Sequence, residues 1–90
     1  MSVHFFVMDS GNVQMVSMRQ ARLMLHKMGL LTQVQSVINS LPEPQKTEAQ
    51  IEWDFSQEVR RDFPLVAVMK RGLNLTDEQL DNLFYEAKKL

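Results

Sequence analysis

The sequence predicts a mainly α-helical protein, a compact bundle of four to five short helices preceded by an N-terminal β-hairpin. Three observations lead to this prediction. Ninety residues hold a single hydrophobic core. Apolar residues recur at helical spacing from residue 17 onward, and the first sixteen residues instead place aromatic and β-branched types around turn residues. We therefore expect one domain over residues 1–90, with the hairpin in 1–16 and a helical module in 17–90.

The hairpin is predicted from two apolar runs, 4–8 and 13–16, on either side of a turn. Gly11 and Asn12 in the turn segment tolerate the positive φ values that tight hairpins require. Because an isolated hairpin is only marginally stable in water, this one must pack on the helices or on another chain. We expect a homodimer that forms through the hairpin.

The helices are predicted from their start and stop signals. Ser17 with Gln20, and Thr76 with Gln79, each fit a capping box, in which two side chains satisfy backbone N–H groups at a helix start. Proline at Pro64 suits a first helical position. The predicted helices cover residues 18–28, 31–41, 45–61 and 64–71 and the segment from 77 onward; Gly29 and Gly72 close the first and the fourth.

The apolar positions of each helix predict its buried face. In the third helix, Ile51, Phe55 and Val59 repeat every four residues and are predicted to face the core, with Ala49 and Trp53 on the neighbouring side and Trp53 also in the core. The inward positions of the other helices are Met18, Ala21, Met24, Leu25 and Met28; Val34, Val37, Ile38 and Leu41; Leu65, Val68, Met69 and Leu73; and Leu80, Leu83, Phe84 and Ala87.

No arrangement of side chains in the sequence is typical of an enzyme or of a metal site. The chain has no Cys, and His4 and His26 have no second ligand at helical spacing. Glu58 and Asp62 are predicted to share a helix face, but the arginines beside them indicate a solvated surface. Three isolated glycines make no phosphate-binding loop. We expect no catalytic residue, no metal and no cofactor.

Charge and hydropathy argue against nucleic acid and membranes as partners. Ten basic and eleven acidic side chains nearly cancel, although residues 1–42 are basic on balance and 43–90 acidic. The second predicted helix, which would be the recognition helix of a helix-turn-helix, has no Lys or Arg to bind phosphate. No apolar run approaches the about 20 residues needed to cross a bilayer. A cytoplasmic protein is the expectation.

Protein contact is the remaining class of function. Seven methionines, most of them in the first third of the chain, and two adjacent phenylalanines are the residue types of adaptable contact surfaces. The candidate interaction residues are Phe5, Phe6, Met8, Met15 and Met24. Methionine also fills irregular gaps in a core, and this simpler interpretation stays open for the methionines.

Several segments of the chain, 16–23, 29–31, 51–53, 64–66 and 72–84, resemble a small module encoded among the tail genes of tailed bacteriophages and prophages. The resemblance covers roughly residues 13–87 and rests on helix caps and core positions. It departs from the module in a Met-rich first helix and in Phe63 before Pro64.

The resemblance implies a tail-associated or minor structural accessory protein that acts by protein–protein interaction. Its partner would be a phage structural protein, and its place the bacterial cytoplasm or the virion. It carries over no catalytic residue. The alternative is a small prophage-encoded regulator that binds DNA or a host protein.

Overall fold

The computed structural model describes residues 13–90, and in this part of the chain five α-helices accompany two short strands. Their order is β1 (Met15–Ser17), α1 (Met18–Lys27), α2 (Leu31–Asn39), α3 (Gln45–Phe55), β2 (Glu58–Arg60), α4 (Pro64–Gly72) and α5 (Asp77–Ala87). The predicted class, a mainly α-helical protein, is confirmed, and the helices are accompanied by a two-stranded antiparallel sheet.

Helix α1 begins and ends as its residues predict. The Ser17 hydroxyl accepts from the Gln20 N–H (2.9 Å), and the Gln20 side chain accepts from the Ser17 N–H (2.8 Å). Gly29 has φ +74, and the N–H groups of Gly29 and Leu30 bond back to carbonyls of the last turn (3.0 and 2.8 Å). The same reciprocal box between Thr76 and Gln79 begins α5.

Helix α4 starts at Pro64 as predicted, but its end differs from the prediction. Gly72 is the last helical residue, and the left-handed conformation falls on Asn74 (φ 59). The Leu75 N–H then bonds to the Lys70 carbonyl (2.8 Å) and closes the turn. Glycine at 72 serves packing instead, because a Cβ there would lie 2.8 Å from Cγ2 of Val37 on α2.

The third predicted helix, 45–61, is wrong in its second half. Helix α3 ends at Phe55, Ser56 is extended, and Glu58–Arg60 is a strand. Val59 continues the four-residue apolar pattern, yet it is buried opposite Val16 of β1 rather than on a helix. A contact between residues distant in sequence therefore overrides the local pattern. Glu58 and Asp62 consequently share no helix face.

The two strands form an antiparallel sheet in which Met15 is opposite Arg60 and Ser17 is opposite Glu58. The Arg61 N–H donates to the Gln14 carbonyl (2.7 Å) and extends the pairing by one residue. Strand β1 corresponds to the second predicted strand, 13–16. The first predicted strand, 4–8, and the turn 9–12 lie outside the described residues.

The core follows the predicted faces of four helices and departs from that of α3. On α3 the buried residues are Ala49 and Trp53 (8% exposed), whereas Ile51 and Phe55 face solvent at 52% and 77%. Met28, predicted to be inward, is 38% exposed. On α4, Val68 is also predicted to be inward but is only half-buried, whereas Val66, which is not among the predicted positions, is buried. The buried residues of the other helices are Met18, Ala21 and Leu25; Val34 and Ile38; Leu65, Val66 and Met69; and Leu80, Leu83, Phe84 and Ala87.

Candidate protein-interaction surface

An apolar stripe runs along the outward side of α3. Ile51 and Phe55 are one helical turn apart, so their side chains lie on the same face. Both belong to the small set of large apolar residues that residues 13–90 leave exposed, and Phe55 is the most exposed of them. We call these two residues the α3 stripe.

The stripe faces outward because the opposite side of α3 is fixed in the core. Ala49 and Trp53, also one turn apart, are both buried there. The Arg22 guanidinium of α1 stacks over the Trp53 ring, 3.9 Å from its centroid, and donates a hydrogen bond to the Trp53 carbonyl. Arg22 thus holds the indole and satisfies a carbonyl in the last turn of α3, where a cation is also favoured by the helix dipole.

Carboxylates lie on both sides of the stripe. Glu48 precedes Ile51 by three residues and Asp54 follows it by three, which places one acid on each flank. Both are exposed. Asp54 is oriented by the Gln50 side-chain amide, which donates to its two oxygens at 3.1 and 3.2 Å. This surface is therefore apolar in the middle and negative at the edges.

A groove between α3 and α4 adjoins the stripe. It has a volume of about 240 Å³, with Ala49, Leu65 and Val68 among its apolar lining. Its α3 wall carries Glu48 and Glu52, which lie one turn apart. Because Glu48 lines the groove and also flanks the stripe, groove and stripe form one continuous surface with an acidic edge.

A second groove lies between α1 and α5. Met24 and Met28, one turn apart, line it together with Leu83, and its volume is about 170 Å³. Gln79 and Glu86 contribute polar groups from α5. Flexible thioethers on one wall give this groove an adaptable shape.

The candidate residues named from the sequence are not brought together. Phe5, Phe6 and Met8 lie outside the described residues. Met15 is half-buried in β1, and Met24 is half-buried in the α1–α5 groove, which Met15 does not line. They remain predictions of contact residues.

Sequence reasoning missed the α3 stripe by assigning Ile51 and Phe55 to the core. A signal for their exposure was present in the spacing. Glu48 and Asp54 share the side of Ile51, and charged residues on both flanks are typical of the solvent face of an amphipathic helix.

Two carboxylates elsewhere in the described residues have structural partners. The Glu43 carboxylate accepts from the hydroxyl and the N–H of Thr47 (2.8 and 3.2 Å) at the start of α3, and these bonds lower its pKa. A short contact from Lys70 Nζ (2.6 Å), with Arg61 farther away, lowers the pKa of Asp77.

Across residues 13–90, no cluster of His, Cys, Asp or Glu could hold a metal ion.

Within the described part of the chain, no helix has the length and apolar character needed to span a membrane. Comparison of the chain with protein-family profiles, with curated proteins and with solved structures found no match.

Proposed function

We propose that this chain is a non-catalytic module that binds another protein through the α3 stripe. The observation that carries the proposal is the exposure of Ile51 and Phe55, 52% and 77%, on one face of a helix whose other face is anchored in the core. Aromatic and aliphatic side chains of this kind are the usual centres of protein interfaces.

A partner that covers the α3 stripe would recover the free energy that exposure of its two side chains costs. Full burial of an Ile or Phe side chain is worth about 1.5–3 kcal/mol relative to exposure in water. At 52% and 77% exposure, Ile51 forgoes about half of that and Phe55 about three quarters in the isolated chain, and a partner that covers both would recover it. The neighbouring groove supplies a recess of about 240 Å³ for a further side chain of the partner.

The resemblance described above extends the proposal to a class of partner. It implies an accessory protein of a phage or prophage tail that acts in the bacterial cytoplasm or stays in the virion, with a phage structural protein bound to it. The fold supports this proposal because a small helical scaffold is suited to protein contact. The proposal is tested at the α3 stripe.

The test compares a tagged wild-type chain with the double variant Ile51→Ser/Phe55→Ser, produced in the cells that encode it. Met28→Ser is the matched control, because it also removes an exposed large apolar side chain but lies at the C-terminal cap of α1. We expect a phage tail protein to co-purify with the wild type and the control and to be lost from the double variant. Identical protein sets on wild type and double variant would show that the stripe binds nothing.

The regulator alternative is separated by retention on DNA. Helix α2 has no Lys or Arg, so we expect little retention of the chain at any salt concentration. Strong retention at low salt that collapses as salt rises would instead favour a DNA-binding regulator.

A further inference from the structure

We propose that the segment of the partner bound by the α3 surface, meaning the α3 stripe with its flanking acids and the adjoining groove, is a basic amphipathic helix. This inference rests on the proposed function and adds to it the chemistry and secondary structure of the partner. Three observations support the inference. They are the linear shape of the surface, its negative charge, and the poorer fit of other possible binding partners.

The shape fits a helix. Ile51 and Phe55 are four residues apart, about 6 Å along the axis at 1.5 Å per residue, and form a straight ridge. The groove between α3 and α4 runs beside that ridge. A ridge next to a groove is the surface against which a second helix packs, with anchor residues at its own i and i+4 positions.

The charge of the surface selects a basic partner. Glu48, Glu52 and Asp54 surround the ridge, and the one basic residue of α3, Lys46, lies on another side of the helix by its spacing from Ile51. Lys or Arg residues beside the apolar anchors of the partner would meet these carboxylates at the rim. Such complementarity raises the association rate and rejects acidic partners.

Other occupants fit less well. A second copy that paired α3 with α3 would bring two sets of carboxylates together, which is unfavourable. Residues 1–12 of this chain carry Asp9 and no Lys or Arg, so they lack the complementary charge. A nucleic acid or an anionic membrane would be repelled by the same acids.

The direct test uses a synthetic helical peptide with leucines at i, i+4 and i+7 flanked by lysines. Its counterpart has glutamates in place of the lysines. Each carries a fluorescent label, and binding to the full chain is followed by fluorescence anisotropy. We expect the lysine peptide to bind and the glutamate peptide to bind at least tenfold more weakly.

Matched variants localise the binding. Ile51→Ser/Phe55→Ser should weaken binding of the lysine peptide by tenfold or more. Glu48→Lys/Asp54→Lys should weaken it similarly and should improve binding of the glutamate peptide. The control Glu78→Lys/Glu86→Lys changes the net charge by the same amount on α5 and should have less than a threefold effect. All six side chains are exposed to solvent, so circular dichroism should show every variant folded.

The outcomes distinguish this inference from the proposed function. If the partner isolated with the wild type is lost with Ile51→Ser/Phe55→Ser but kept with Glu48→Lys/Asp54→Lys, the proposed function stands and the basic helix is wrong. Failure of the lysine peptide to bind, or equal weakening by the α5 control, also overturns the inference.

Two further results would assign the surface to this chain itself. A dimer that appears with rising concentration in sedimentation, and that Ile51→Ser/Phe55→Ser abolishes, would make a second copy the occupant. A tenfold gain in peptide affinity for Phe5→Ser/Phe6→Ser would make the N-terminal segment the occupant.

Discussion

Asn74 carries a backbone conformation that is costly for most residues. Its φ of 59 completes the turn after α4, in the same structural position that Gly29 fills after α1. The left-handed region costs an ordinary L-residue about 1–2 kcal/mol, and Asn less because its side chain tolerates that region. The two helix ends thus use the same motif with different residues.

We predict that Asn74→Ala lowers the free energy of unfolding by about 1 kcal/mol, because alanine bears the full left-handed cost. Asn74→Gly should equal or exceed the wild type. The measurement is urea denaturation followed by circular dichroism. Asn82→Ala, within α5 and exposed, is the control and should not lose stability. An Asn74→Ala variant as stable as the glycine variant would contradict the structural role.

Arg22 is the residue that connects α1 to the end of α3. We predict that Arg22→Ala lowers the free energy of unfolding by about 2 kcal/mol, because it removes both a stacked cation and a charged hydrogen bond to the Trp53 carbonyl. Arg22→Lys should recover part of this, since it keeps the charge without the planar fork.

Fluorescence of the single tryptophan is the readout for the Arg22 variants. Its emission should shift in Arg22→Ala as the ring loses its cover, and the urea midpoint should fall. The exposed Arg19 on the same helix provides the control, and Arg19→Ala should change stability by less than about 0.5 kcal/mol.

Between elements, the approach of α4 to α2 depends on the missing side chain at Gly72. Intrinsic helix propensity alone predicts that Gly72→Ala stabilises α4 by up to about 1 kcal/mol. We predict instead a loss of about 1–3 kcal/mol, because the new Cβ overlaps Val37. Thermal and urea unfolding check the sign.

A second substitution isolates the Gly72 contact. Val37→Ala removes the methyl groups that the Cβ would meet, so the double variant Gly72→Ala/Val37→Ala should be more stable than the sum of the single effects predicts. Additive losses would mean that the helices do not approach each other at this point.

The start of α5 contains the ion pair that responds to pH. Because the Lys70 hydrogen bond lowers the pKa of Asp77 in the folded chain, the contribution of Asp77 to stability is present above its ordinary value of 3.8 and is lost as the pH falls through the folded value. We predict that Asp77→Asn is less stable than the wild type at neutral pH and that the difference disappears in acid. Urea midpoints measured from pH 7 down to pH 2 test this, and a constant difference would contradict it.

Local signals predicted the starts of α1 and α5, whereas the end of α3 depends on a contact between residues distant in sequence. The Ser17 and Thr76 boxes involve residues three positions apart, so the sequence contains all that they need. The end of α3 depends on Val59 meeting Val16, which is distant in sequence. The candidate surface was missed for a different reason, because the acids on both flanks of Ile51 were a local signal that the apolar repeat outweighed.

At the scale of the whole molecule, the core contains a small apolar cavity of about 50 Å³. Four helices and β2 contribute to its lining, which is Ala21, Leu25, Trp53, Val59, Leu65, Val66, Met69, Leu73, Leu75, Leu80, Leu83 and Phe84. At about 24 cal/mol per Å³, a cavity of this size costs on the order of 1 kcal/mol.

We predict that Val59→Ile, which adds one methylene at the cavity, raises the free energy of unfolding by up to about 1 kcal/mol. Val34→Ile is the control, because Val34 is also a buried valine but does not line the cavity. Overpacking there should destabilise the chain. Chemical denaturation of both variants measures the difference, and a loss in Val59→Ile equal to that of the control would mean that no usable space exists.

The pairing of β1 with β2 has a consequence for synthesis on the ribosome. The chain emerges from its N-terminus, so Val16 waits without its strand partner until residues 58–60 have been made. Helices α1 and α2 can form during that interval, but the sheet cannot form until β2 is available to pair with β1. We expect nascent chains that stop before residue 58 to be sensitive to protease and those that include β2 and the helices after it to be resistant.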